Sequence, residues 1–140
     1  MFGPSSAVGV GVGEDAVWVT HADDDTVARI DPVTKAVRQT VDVGDGPTGV
    51  AVDEGAVWVA NGLDGTVSRV DPTTNNVVQT IPVGNGPNGV AIGEGAVWVA
   101  NSVDGTVSRI APTTGRLTNT FPAVIGASAV VAERGRSLAS

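Results

Sequence analysis

The chain has no cysteine and no tyrosine, and a single histidine, among its 140 residues. Without cysteine there is no disulfide framework, no thiolate zinc site and no cysteine nucleophile, while either a reducing or an oxidising compartment stays open. Positive charge is sparse too: eight Lys and Arg stand against fifteen Asp and Glu, for a formal net charge of −7. The eight are scattered, not gathered into a stripe that would neutralise phosphates and release counterions, which argues against nucleic acid as a partner. Long apolar runs are also missing. No stretch reaches about 18 apolar residues, and the opening MFGPSSAVGVGVGED lacks a basic start and a sustained apolar core. The expectation is a chain with neither a signal peptide nor a membrane span of its own, of unassigned compartment. With 41% hydrophobic and 16% charged residues, it has the composition of one globular domain.

What the chain does have is a repeat. EDAVWV at 14–19 and EGAVWV at 54–59 and 94–99 recur every 40 residues without insertion, and residues 55–82 and 95–122 are identical at 18 of 28 positions. The repeats run over about 7–46, 47–86 and 87–126, with a degenerate partial repeat at 127–140. The middle copy contains four short runs rich in β-branched residues: PTGVAV (47–52), AVWVA (56–60), TVSRV (66–70) and VVQTIPV (77–83). Between them stand turn residues, Glu54-Gly55, Asp64-Gly65, Asp71-Pro72 and Gly84-Asn85-Gly86-Pro87. Links this short join antiparallel neighbours, so each period predicts a four-stranded meander.

Along the second run Ala56, Trp58 and Ala60 point one way and Val57 and Val59 the other, so both faces of the sheet are apolar. A sheet that needs cover on both sides, repeated at 40 residues, predicts an all-β fold: three antiparallel blades of a β-propeller plus a partial blade. Trp18, Trp58 and Trp98, one per blade, fill the space between blades. Propellers close with roughly 4 to 8 blades. If each end bared ~500 Å² of apolar face, at about 25 cal/mol per Å² the penalty would be ~12 kcal/mol per end, as large as a typical domain's whole stability. Closure therefore requires oligomerisation, with a homodimer favoured, or a place within a longer chain.

The pattern WVAN-x-x-DGTVSR-[IV]-[DA]-PTT, followed by T-[IF]-P and in two copies by VG-x-GP-x-GVA, resembles the YVTN-type β-propeller repeat of bacterial and archaeal proteins. That family is related to the NHL and streptogramin-lyase-like propellers. The resemblance covers residues 7–122, with Trp for the family's Tyr, Ala60 and Ala100 for its Thr, and His21 for its Asn. It implies a binding or scaffolding module.

In such a meander the turn between second and third strands and the linker between blades share one end, where loops carry ligands. The candidates there are His21, Asp23, Asp25, Asn61, Asp64, Asn101, Asp104, Asn85 and Asn88. Asn61 and Asn101 recur before a turn, as expected of side chains bonded to local backbone. Asp23-Asp24-Asp25 reads as a solvated acidic turn rather than a Ca²⁺ loop, since three adjacent carboxylates cannot all face one ion. His21 is the one base titrating near neutrality, and the streptogramin-lyase likeness would call for a second histidine and a metal, so no catalytic residue and no metal ligand is assigned. Arg29, Arg69 and Arg109 stand in register; pairing with Asp31 and Asp71, or reach to an adjacent blade, is secondary to a reading as solubilising, edge-protecting charge. No cofactor-binding motif occurs. The residues thus point to a non-catalytic module for protein, peptide or glycan binding that closes by self-association. The alternatives are a purely structural or truncated propeller and a metal-dependent lyase.

Overall fold

The computed structural model describes residues 7–53 and 55–123; Glu54 and the partial repeat at 127–140 lie outside them. Twelve strands follow in order: β1 (Ala7–Gly13), β2 (Ala16–His21), β3 (Thr26–Ile30), β4 (Val37–Asp42), β5 (Pro47–Asp53), β6 (Ala56–Asn61), β7 (Thr66–Asp71), β8 (Asn76–Pro82), β9 (Pro87–Gly93), β10 (Ala96–Asn101), β11 (Thr106–Ala111) and β12 (Arg116–Pro122). They form three four-stranded sheets, β1–β4, β5–β8 and β9–β12, each strand antiparallel to its chain neighbour. These are the blades; the first three predicted runs fall inside β5, β6 and β7 of the middle one, and the fourth, 77–83, runs one residue past β8. No helix long and apolar enough to cross a membrane occurs among the described residues.

The sheets fan out from their first strands. β1 packs on β5 and β5 on β9, whereas the fourth strands β4, β8 and β12 meet only at their margins. Backbones converge near this axis, and there the repeat carries glycine. A Cβ added to Gly49 would lie 2.6 Å from the carbonyl oxygen of Asn88 on the next blade. Gly49→Ala is therefore expected to lower stability by about 1–3 kcal/mol through overpacking, read as a fall in the urea midpoint.

Each blade has a leading face, toward the blade before it, and a trailing face, toward the blade after it. At the first junction Ala16, Trp18, Val27 and Val41 of blade one meet Val50, Val57, Val59 and Val70 of blade two. The second junction repeats the pattern with Ala56, Trp58, Val67 and Ile81 against Val97, Val99 and Ile110. The alternation read from the sequence supplies both surfaces, so every residue of β6 is buried. Trp18 and Trp58 fill the junctions as expected. Trp98 lies on the trailing face of blade three, partly exposed, edge-on to Phe121 with ring centroids 6.4 Å apart.

The register also sets Trp18 opposite Arg29, Trp58 opposite Arg69 and Trp98 opposite Arg109. Each guanidinium stacks on its indole, at 5.1, 5.1 and 5.6 Å from the ring centroid. Arg29 continues into blade two, donating to the Pro72 carbonyl and, at 2.8 Å, to Asn75 Oδ1. Arg69 donates to Gln79 Oε1, and Gln79 Nε2 donates to the Thr114 carbonyl of blade three at 3.1 Å. The reading of these arginines as solubilising edge charge is thus corrected: all three roof the tryptophans, Arg29 reaches the following blade directly, Arg69 does so through Gln79, and Arg109 bonds Thr118 of its own blade. Asp31 pairs instead with Arg38, at 2.9 Å.

Candidate functional site

At one end of the fan the turns between the second and third strands of blades two and three are hydrogen-bonded to the linkers that precede those blades. Gly62 N and Leu63 N donate to the carbonyls of Gly46 and Asp45 at 2.9 and 3.1 Å, and Ser102 N donates to that of Gly86 at 2.8 Å. The end where the sequence places its candidates is therefore one continuous surface of turns and linkers.

Its polar side chains are largely occupied in building it. Asn61 is fully buried; its Oδ1 accepts from Gly44 N at 3.1 Å, and its Nδ2 donates to Thr66 Oγ1 and Ser68 Oγ at 3.0 and 2.9 Å. Asn101 repeats these bonds with Gly84, Thr106 and Ser108. Both hold a linker against a blade, with both Nδ2 hydrogens committed inside the fold and no exposed surface to offer a ligand, which makes them structural. Asp64 Oδ2 accepts from Asp45 N at 3.1 Å, and Asp104 accepts from Asn85 N and Nδ2 at 2.8 and 3.0 Å. Asp25 stands where the later copies have glycine, in the left-handed region at φ 60° against 69° for Gly65. Aspartate tolerates that conformation better than most side chains, and its Oδ1 accepts from Gly46 N at 2.9 Å. The third aspartate of the acidic run is thus a clamp on the first linker.

Asp25, Asp45 and Asp64 gather at that linker. The Asp64 carboxylate foremost, and then that of Asp25, pushes the Asp45 carboxyl above the ordinary carboxylate range. A raised value means that the folded state holds this proton more readily than the unfolded one. Stability is then present at low pH and lost as pH rises through the raised value. Asp45→Asn is expected to raise Tm slightly near neutrality, with the gain vanishing below pH ~3; scanning calorimetry at the two pH values checks it.

His21 closes β2, opposite Thr26, in the position of Asn61. It is half-buried, and its Nδ1 is buried without a hydrogen-bond partner. Among the described residues no three histidine or acid side chains converge as a metal ion would need.

Open surface lies just beside these clamps, in a depression of 370 Å³ that crosses all three blades. Ala22 and Asp23 line it on blade one, Leu63 on blade two, and Pro87, Asn88 and Ser102 on blade three, with the backbone of Gly46, Gly62 and Gly86 between them. Thr48 Oγ1 sits within it, 3.3 and 3.1 Å from the carbonyls of Ala60 and Pro87. Of the predicted candidates, Asp23 and Asn88 reach this depression. Leu63 and Pro87 belong to segments that the sequence places at this end but were not among its candidates. The signal for Leu63 was an apolar residue at turn positions 63 and 103, where blade one has Asp23; Leu63 is 83% exposed.

The opposite end carries a second groove, of 390 Å³, between blades one and two. It is polar, lined by Asp15, Arg29, Asp31, Arg38, Gln39 and Asn75. Asp31 is held below the ordinary carboxylate range by the Val33 and Thr34 amides and by Arg38. Within it Asp31 is paired with Arg38, and Arg29 with Asn75.

No protein-family model matches this chain, and no curated protein matches it in sequence. Solved structures do match in shape. A hydrazine synthase from Kuenenia stuttgartiensis superposes with a TM-score of 0.77 at 21% identity, over 81% of this chain and 35% of its own. The virginiamycin B lyase of Staphylococcus aureus gives 0.75 at 19% identity, over 85% and 42%. A computationally designed protein, Ika4, gives 0.73 at 19% identity, over 86% and 74%. The chain thus spans well under half of the two natural proteins. Likeness at this identity speaks to fold alone, and it agrees with the fan of sheets: the described residues form three blades of a β-propeller that do not by themselves close a ring.

Proposed function

We propose that the chain is a non-catalytic propeller module that binds a peptide segment of another protein in the depression of its loop face. The observation carrying this reading is the depression itself. It offers apolar surface from the exposed Leu63 and the half-buried Ala22, a floor at Gly46, Gly62, Gly86 and Pro87, and the exposed Asp23 at its edge. The neighbouring Asp25, Asp45 and Asp64 and the net charge of −7 favour a segment that pairs an apolar side chain with a basic one. A glycan fits less well, because the Trp rings of the described residues belong to the blade faces and none lines this end. The lyase alternative has fold likeness alone in its favour.

An alternating Lys-Leu peptide tests the reading, with a Glu-Leu peptide as control. The Lys-Leu peptide is expected to shift the amide resonances of Gly46, Gly62 and Gly86, Leu63→Asp to abolish the shifts, and Asp23→Asn to weaken them. Unmoved amides would overturn the proposal.

A further inference from the structure

The leading face of blade one and the trailing face of blade three have no blade against them among the described residues. On the first, Val10 and Val12 are 64% and 73% exposed, whereas Val57, Val59 and Val70, on the same face of blade two, are fully buried. On the second, Phe121 is 41% exposed where its counterpart Ile81 is 4%. We infer that a second copy of this chain covers both faces, head to tail, so that two chains close a ring of six blades.

The two interior junctions show what each face accepts. A leading face receives a trailing face built on Ala, Trp, Val and one larger apolar residue, and blade three presents that set as Ala96, Trp98, Val107 and Phe121. A trailing face receives a leading face of valines and isoleucines, and blade one presents Val10, Val12, Val17, Val19 and Ile30. The departures from the second junction are few and partly offset one another in volume, Ala123 standing where that junction has Val83. The tail gains Phe121 in place of Ile81, while the head has Val12 in place of Ile92 and Val37 in place of Leu117. A head against a head, or a tail against a tail, reproduces neither junction. Six blades fall within the number at which propellers close, and two identical seams complete a two-fold ring.

The polar rim adds a test specific to this seam. At the first junction Arg29 donates to the Pro72 carbonyl and to Asn75 Oδ1. At the seam Arg109 takes the place of Arg29, and the second copy offers Pro32 and, in place of Asn75, Lys35. An ammonium thus stands where an acceptor belongs, so Lys35→Asn supplies the missing oxygen and tightens association about tenfold, as for a hydrogen bond to a charged group.

Sedimentation equilibrium of the full chain at micromolar concentration is expected to give twice the chain mass of 14.0 kDa. Val12→Glu on the head and Phe121→Glu on the tail each yield monomers alone. Mixed together they restore a two-chain species, because one seam remains intact. Val10→Glu replaces any head variant whose circular dichroism departs from that of the parent chain. A parent chain at monomer mass, a mass that grows without limit as concentration rises, a single variant that still dimerises, or a mixture that stays monomeric would overturn the inference. The head and tail variants leave the loop-face depression untouched, so peptide binding and ring closure fail separately.

Discussion

Trp58→Ala is expected to lower stability by about 3–5 kcal/mol, a third or more of what a domain of this size has. The indole is fully buried between blades two and three, among Ala56, Val67, Ile81, Val97, Val99 and Ile110, with Arg69 stacked on its ring. No neighbouring side chain can relax inward far enough to fill the void, so the loss of contact area and the cavity both count. Two companions sharpen the expectation. Trp98→Ala, on the partly exposed trailing face of blade three, should cost less than half as much in a dilute sample. Trp58→Phe should cost no more than about 1–2 kcal/mol, because Trp58 Nε1 has no hydrogen-bond partner to lose. Trp18 and Trp98, by contrast, donate to the carbonyls of Gly13 and Gly93 at 3.2 and 2.9 Å. Urea unfolding followed by far-ultraviolet circular dichroism measures all three.

Asn61→Ala is the second large effect, at about 3 kcal/mol. The amide is buried and joins three groups, and its removal leaves Gly44 N, Thr66 Oγ1 and Ser68 Oγ without the partner they have now. Each buried group left unpaired costs about 1–3 kcal/mol, reduced where a hydroxyl can turn to another acceptor. Asn61→Asp should be nearly as costly, since a carboxylate keeps the bond from Gly44 N but cannot donate to the two hydroxyls. A loss well under 1 kcal/mol in the same urea experiment would show that the linker is held by its backbone bonds alone.

The strands and their faces were legible because two independent signals agreed: a 40-residue period without insertions, and a strict alternation in which both faces carry apolar side chains. The placement of turns and linkers at one end followed from antiparallel connectivity alone. Other features depended on lengths that the sequence leaves open. Whether Asp64-Gly65 is a two-residue hairpin or the end of a four-residue turn decides which residue faces Trp58, and so whether Arg69 roofs the ring or points to solvent. The depression was hidden for a similar reason: Leu63 and Pro87 are 24 positions apart and meet only through the path of the second linker. His21 and the three aspartates looked like one motif. In the fold they separate, with Asp25 clamping the linker, Asp23 lining the depression, and His21 taking the place of a structural asparagine.

The packing between blades joins adjacent ones, β1 and β2 with β5 and β5 and β6 with β9, and each linker is gripped by the blade before it and the blade after it. Stability in such a row is a sum of nearest-neighbour terms, so the molecule has ends in a thermodynamic sense as well as a geometric one. Blade two shares two junctions and blades one and three share one each, and local opening should follow that order. Amide protons of β6 and β7 are expected to exchange with solvent more slowly than their counterparts in β2, β3, β10 and β11. Diluting the sample should widen the difference wherever a ring had removed the ends, which makes exchange kinetics a reporter of how many neighbours each blade has at a given concentration.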